Sequence, residues 1–118
     1  MHEASLVHSI FEEVRQYLES NHAARITNIQ LEVGTYSNIE PLLLREAFNV
    51  LKNGTPFETT TLTVESVTAE ARCYTCGIIF QPAEFPFYCP ACGHYGGELI
   101  RGHDLIIKRI EMEVPEHA

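Results

Sequence analysis

The stretch CYTCGIIFQPAEFPFYCPACG holds all four cysteines of the chain, Cys73, Cys76, Cys89 and Cys92. No other feature limits the fold as strongly. Each C-x-x-C pair turns the backbone so that two thiolates face one point. The glycine behind each pair, Gly77 or Gly93, relieves strain where backbone N–H groups approach sulfur. Twelve residues separate the pairs, enough to return the second opposite the first. Four thiolates then close around one ion. Zn(II) suits that donor set, because it is redox-silent and tetrahedral, and a site with no open position is structural. Disulfides are the competing reading, disfavoured in a reducing compartment. A rubredoxin-like iron site is another, but those carriers have a much longer stretch between knuckles.

The compartment follows from what surrounds this segment. No apolar run approaches the length of a membrane span. Glu3, Glu12 and Glu13 fall where a signal peptide would be basic and then uncharged, so a cytoplasmic location is expected. The formal charge is −8, from 16 acidic and 8 basic residues, and Lys108-Arg109 is the only adjacent basic pair. A nucleic acid or an anionic membrane needs a clustered basic face, so neither is an expected partner. There is no nucleophile–base pair and no phosphate loop, and catalysis on a substrate is not expected.

The 118 residues are one domain's worth of chain with room for a modest core. From Ala4 to Asn21, Leu6, Val7, Ile10, Phe11, Val14, Tyr17 and Leu18 recur at helical spacing. ITNIQLEV then alternates, with Thr27, Ile29, Leu31 and Val33 on one face and Asn28, Gln30 and Glu32 on the other, closed by Gly34. SNIEP begins a second helix: Ser37 and Glu40 fit a capping box, and Pro41 suits a first turn. Leu43, Leu44, Ala47, Phe48 and Leu51 form its apolar face, and Asn53-Gly54 ends it. TTTLTVESV is a second strand. HDLIIKRIEMEV is a third, with Ile110, Met112 and Val114 opposite Glu111 and Glu113. Leu105 to Ile107 is apolar on both faces, which predicts a covered or bulged end. The expected fold is α+β, with two helices on a small three-stranded sheet and a zinc-ribbon lobe inserted between the last two strands. The strands entering and leaving the lobe are expected to pair as neighbours. One domain then comprises 1–70 plus 104–118, and the zinc-binding domain comprises 71–103.

The chain opens MHE. A bulky second residue predicts that Met1 is retained, which leaves its amine beside His2. That amine, the His2 amide nitrogen and the His2 imidazole close fused chelate rings on a single ion. Amide nitrogens give up protons readily to Cu(II) or Ni(II) in planar geometry, and the Glu3 amide or a nearby carboxylate could supply a fourth donor. A solvated terminus of no consequence is the plainer reading. His8 and His22 read as exposed helix residues. His94, just after Cys92-Gly93, is either an added ligand or a polar residue on the knuckle's rim.

MHE at the start, LEVGTYSNIEP in the middle, and CYTCG–CPACG followed by RGHDLIIKRIEMEV together resemble the HypA/HybF family of nickel metallochaperones over essentially the whole chain. The resemblance implies Ni(II) as transported cargo in the maturation of [NiFe]-hydrogenase. It implies His2 as nickel ligand with backbone nitrogens of Met1 and Glu3, and zinc on Cys73, Cys76, Cys89 and Cys92. It also links an acidic residue at the position of Glu40 to the nickel site. The partners it implies are a HypB-like GTPase and a hydrogenase large-subunit precursor, with the protein a monomer or homodimer. One departure stands out: some members carry a histidine beside each cysteine pair, whereas Ile78 follows Cys76-Gly77 here. Exchange of zinc ligands with pH is therefore not expected. The alternatives to this reading are a zinc-ribbon adaptor and a nucleic-acid-binding module.

Overall fold

The computed structural model describes residues 3–115. Its elements run α1 (Glu3–Ser20), β1 (Arg25–Gly34), α2 (Pro41–Leu51), β2 (Thr61–Val67), β3 (Glu70–Cys73), β4 (Ile79–Phe80), β5 (Gly97–Arg101) and β6 (Leu105–Glu113). They form two sheets of three strands, β2-β1-β6 and β4-β3-β5. This is the α+β arrangement that the hydrophobic periodicity predicts.

The pairing of the first sheet differs from expectation. β2 and β6, which enter and leave the cysteine lobe, do not pair. β1 lies between them, parallel to β2 and antiparallel to β6. The reason is the connection through α2: a strand–helix–strand unit returns its second strand parallel beside the first. That leaves the other side of β1 for β6.

The core is a cluster contributed by Val7, Ile10, Phe11 and Val14 of α1, Ile26, Ile29, Leu31 and Val33 of β1, Leu44 and Phe48 of α2, and Phe57. Phe11 stacks on Phe57 at 4.8 Å between ring centroids and tilts against Phe48 at 5.6 Å. Tyr17, placed on the apolar stripe by periodicity, is exposed, and so is Leu43 of α2. The polypeptide between α2 and β2 is pinned by Thr60, whose buried hydroxyl donates to the Ile26 carbonyl at 2.7 Å, and by Lys52 Nζ, which donates to the Thr60 carbonyl at 3.0 Å.

Two bulges change which side chains point inward. The β1–β6 register shifts between Ile26 and Asn28, so Ile26 is buried in place of Thr27. A second shift lies between Gln30 and Leu31, opposite Ile107 and Arg109. Lys108 and Arg109 are consecutively exposed there, while Leu105 and Ile107 before them and Ile110 and Met112 after them are partly buried against the core. The bulge lies just past the doubly apolar Leu105–Ile107 run: Ile106 is exposed by ordinary alternation, and the extra residue at Lys108 lets Ile110 and Met112 face the core as Leu105 and Ile107 do. Val114 lies past the strand and is exposed.

The start of α2 also departs from the predicted capping box. Glu40 itself occupies the N-cap, with no side-chain cap bond, and Pro41 is the first helical residue. Ser37 belongs to the preceding turn: its hydroxyl donates to the Gly34 carbonyl at 2.7 Å and accepts from the Ile39 N–H at 3.3 Å. Proline at the first helical position explains the offset, because its fixed φ and missing N–H are best accommodated there.

That same turn joins the two sheets. Gly34 N–H donates to the Asp104 carbonyl and Tyr36 N–H to the Gly102 carbonyl, both at 3.0 Å, and Thr35 N–H donates to the Val67 carbonyl at 2.9 Å. Thr35 Oγ1 accepts from the Ala69 N–H at 3.0 Å. Both connections to the cysteine lobe therefore cross over one turn. A Cβ on Gly34 would lie 2.1 Å from the Gly102 backbone, and one on Gly102 would lie 2.5 Å from Ala69 Cα, so neither position admits a side chain without movement. Tyr36 leans toward the lobe, its ring 6.3 Å from that of Phe87.

Candidate metal centre

Cys73 closes β3, and Cys76 follows after a tight turn in which Gly77 N–H donates to the Cys73 carbonyl at 3.1 Å and Cys73 N–H to the Ile78 carbonyl at 2.9 Å. The second pair repeats the pattern. Gly93 N–H donates to the Cys89 carbonyl and Cys89 N–H to the His94 carbonyl, both at 2.9 Å. Gly77 and Gly93 sit at φ of 79° and 76°, the left-handed region where a side chain is costly, which accounts for the glycine behind each pair. The two knuckles are thus the same turn built twice.

Each turn also aims amides at sulfur. Thr75 and Cys76 N–H groups point to Cys73 Sγ at 3.3 and 3.5 Å, and those of Ala91 and Cys92 to Cys89 Sγ at 3.4 and 3.5 Å. These donors stabilise thiolates. The Cys76 amide is the chief cause holding the Cys73 thiol down to about 6, ahead of the opposing effect of burial. At Cys92 the His94 amide lowers the thiol, but desolvation and the hydrogen bonds shared with Cys73 and Cys89 outweigh it and push the group up to about 12. Four thiols crowded together cannot all ionise unless a cation neutralises them.

The four sulfurs lie within 4.8 Å of one another, with Cys73–Cys92 at 3.5 Å and Cys76–Cys89 at 3.6 Å. A tetrahedral ion with metal–sulfur bonds of about 2.3 Å needs sulfur separations of about 3.8 Å, so the donor set fits zinc in both softness and size. The set is full: a fourth thiolate occupies the position that a catalytic zinc leaves to water. His94 Nδ1 stands 3.4 Å from Cys92 Sγ, in the place of a hydrogen-bonding residue on the rim. The β-bridge between Tyr88 and Tyr95 closes the base of the second knuckle, and the neighbouring Phe87 is buried with its ring 5.7 Å from that of Phe80 on β4.

Of the residues expected at the second metal, Met1 and His2 lie outside the described residues. Glu3 opens α1 and is half-buried. Glu40 is exposed at the start of α2, and its carboxylate has no capping role there. Periodicity and spacing missed the junction residues Gly34, Tyr36 and Gly102. The sequence marks them only by a glycine at the end of a strand and another where the chain leaves the lobe. No helix among the described residues is long and apolar enough to cross a membrane.

Comparison with known proteins bears on what such a chain is. The family model described as "Hydrogenase/urease nickel incorporation, metallochaperone, hypA" matches residues 1–112. The hydrogenase maturation factor HypA of Aquifex aeolicus is 35% identical over 114 residues, covering 97% of this chain and 99% of the relative. That of Desulfitobacterium hafniense (strain DSM 10664 / DCB-2) is 32% identical over 113 residues, covering 96% and 99%. The solution structure of the Ni metallochaperone HypA from Helicobacter pylori shares the fold with a TM-score of 0.73 at 21% identity, over 98% of this chain and 100% of that one. A helix–sheet unit with a four-cysteine lobe inserted ahead of its last strand, matched along nearly its full length, makes this chain a member of the HypA family of hydrogenase maturation factors.

Proposed function

We propose that the protein is a nickel metallochaperone that binds Ni(II) at its N-terminal MHE and delivers it during maturation of [NiFe]-hydrogenase, while Cys73, Cys76, Cys89 and Cys92 hold a structural zinc. The observation that carries this reading is the match to a nickel-incorporation family over residues that include the MHE segment. The chemistry of the donors supports it. The amine of Met1, the amide nitrogens of His2 and Glu3 and the His2 imidazole form a nitrogen-rich planar set of the kind that selects Ni(II) or Cu(II) over zinc. Such a set sits at a chain end and can open by one bond at a time, as cargo release demands. The cysteine cage has the opposite character: when bound, zinc ties four distant thiolates together and replaces a core.

Within this reading the nickel-binding domain comprises residues 1–70 with 104–118, and the zinc-binding domain 71–103. The protein works in the cytoplasm with a HypB-like GTPase and a hydrogenase large-subunit precursor, and itself transforms no substrate. Glu40, freed from a capping role, is available as a second carboxylate near the start of a helix.

The test is nickel titration by calorimetry of the untagged chain beside His2→Ala and a form extended by Gly-Ser before Met1. Both altered forms should lose nickel and keep zinc, since the extension turns the amine into an amide that resists deprotonation. Nickel binding should also weaken as pH falls through about 8 to 6.5, because the amine (about 7.7–8.0) and the imidazole (about 6.5) must shed protons to coordinate. Undiminished affinity in His2→Ala would move the nickel site elsewhere.

A further inference from the structure

We propose that the groove between the first turn of α1 and the length of α2 docks an amphipathic helical segment of a partner protein, one with an apolar stripe flanked by lysine or arginine. The groove is lined by Glu3 and Ala4 on one side and Leu43, Glu46, Ala47, Val50 and Leu51 on the other. α2 uses Leu44 and Phe48 to reach the core, with Ala47 partly buried beside them, yet it carries a second apolar stripe whose ends, Leu43 and Val50, the described residues leave exposed. Leu43, Ala47 and Val50 recur at intervals of four and three, on one face of the helix. Leu43 and Val50 are 48% and 69% exposed. Two large aliphatic side chains of an eleven-residue helix thus face water on the wall of one groove, which is costly unless something covers them.

Charge decides what covers them. The ionisable residues lining the groove, Glu3 and Glu46, are both acidic; Arg45 is on the same helix but does not line it. A second copy of this chain, formally −8, would bring more acid to the same rim, and an anionic membrane would be repelled. A basic amphipathic helix is complementary on both counts: leucine-like anchors for the stripe and cationic flanks for the two carboxylates. The inference stands without the nickel reading, although a partner seated here would touch the first turn of α1, whose first residue, Glu3, is the last of the MHE segment.

The experiment follows amide shifts of the ¹⁵N-labelled, zinc-loaded full chain on titration with a synthetic helical peptide. Leucines occupy its i, i+3, i+4 and i+7 positions and lysines the remainder; a second peptide has glutamate for every lysine. Shifts should cluster at Glu3, Ala4, Leu43, Glu46, Ala47 and Val50. Leu43→Ser with Val50→Ser should weaken binding at least about tenfold, since these anchors carry most of the energy. Both positions face solvent, so circular dichroism and zinc content should be unchanged. The glutamate peptide should bind far more weakly. Three results would overturn the proposal: equal binding of the two peptides, shifts spread over the acidic outer face of α1 at Glu12, Glu13 and Glu19, or a dimer in sedimentation that Val50→Ser dissociates. Nickel titration of the double variant is a separate readout and reports on the cargo site alone.

Discussion

The helix–sheet region and the cysteine lobe solve the same problem with different materials. In the first, eleven apolar side chains from α1, β1, α2 and Phe57 form one closed cluster. In the lobe the buried apolar side chains are Ala71, Cys73, Pro82, Phe87 and Cys89, and two of these are metal ligands in our reading. Phe80 and Phe85 pack edge-on against Phe87 at 5.7 and 6.2 Å, but Phe85 remains largely exposed. Fewer than forty residues rarely bury enough surface to offset their conformational entropy, and in our reading a cross-linking ion takes over that task. The difference teaches where each region is vulnerable: the first to a lost methylene, the second to a lost ligand.

The largest expected effect follows from that contrast. Cys89→Ser should abolish zinc retention and, with it, protection of the β3, β4 and β5 amides in hydrogen exchange, while amides of β1 and α1 stay protected. Structural zinc sites contribute about 10–16 kcal/mol of apparent binding energy in small domains, far more than this lobe's apolar packing could replace. Uniform loss of protection in both regions would show that they fold as one unit. The complementary change is Phe48→Ala, which should cost about 3–5 kcal/mol by opening a cavity beneath Phe11 and Phe57. Chemical denaturation should register that cost with zinc stoichiometry unaltered.

Gly34→Ala sharpens the comparison at the boundary. The new methyl would collide with the Gly102 backbone, where the two regions meet, and overpacking of this kind costs about 1–3 kcal/mol. Amide shifts should move at Tyr36, Ala69 and Gly102 and leave both the core and the knuckles nearly unchanged. The smallest effect is at Glu40. Lacking a capping bond, Glu40→Ala should alter stability by no more than about 0.5 kcal/mol in thermal melts. A loss near 1 kcal/mol would revive a capping role in solution.

Sequence reading was strongest where the cause is local. C-x-x-C-G dictates its own turn, so the knuckles and their convergence follow from spacing alone. The stripe of Val7, Ile10, Phe11 and Val14 is equally self-contained. The parity of β1 was not legible, because the bulge at Thr27 arises from pairing with β6, more than eighty residues away. The order of the first sheet was legible in principle: β1, α2 and β2 form a crossover unit, and its parallel pairing outranks the closeness of β2 and β6 to the lobe. Likewise Pro41 marked the first helical position, and that signal should have outweighed the match of Ser37 and Glu40 to a capping box. The exposed Leu43 and the close crossing at Gly34 and Gly102 depend on how elements lie against each other, which periodicity does not encode.

The central claim is that one chain carries two metal sites of opposite character, a closed thiolate cage that keeps zinc and an open N-terminal chelate that gives up nickel. It is tested most directly by loading the untagged protein with both metals, dialysing it against a moderate chelator at neutral pH, and measuring nickel and zinc by mass spectrometry over time. The account predicts that nickel leaves while one equivalent of zinc remains, and that the form extended before Met1 never acquires nickel at all. Loss of zinc together with nickel, or full nickel loading of the extended form, would contradict it.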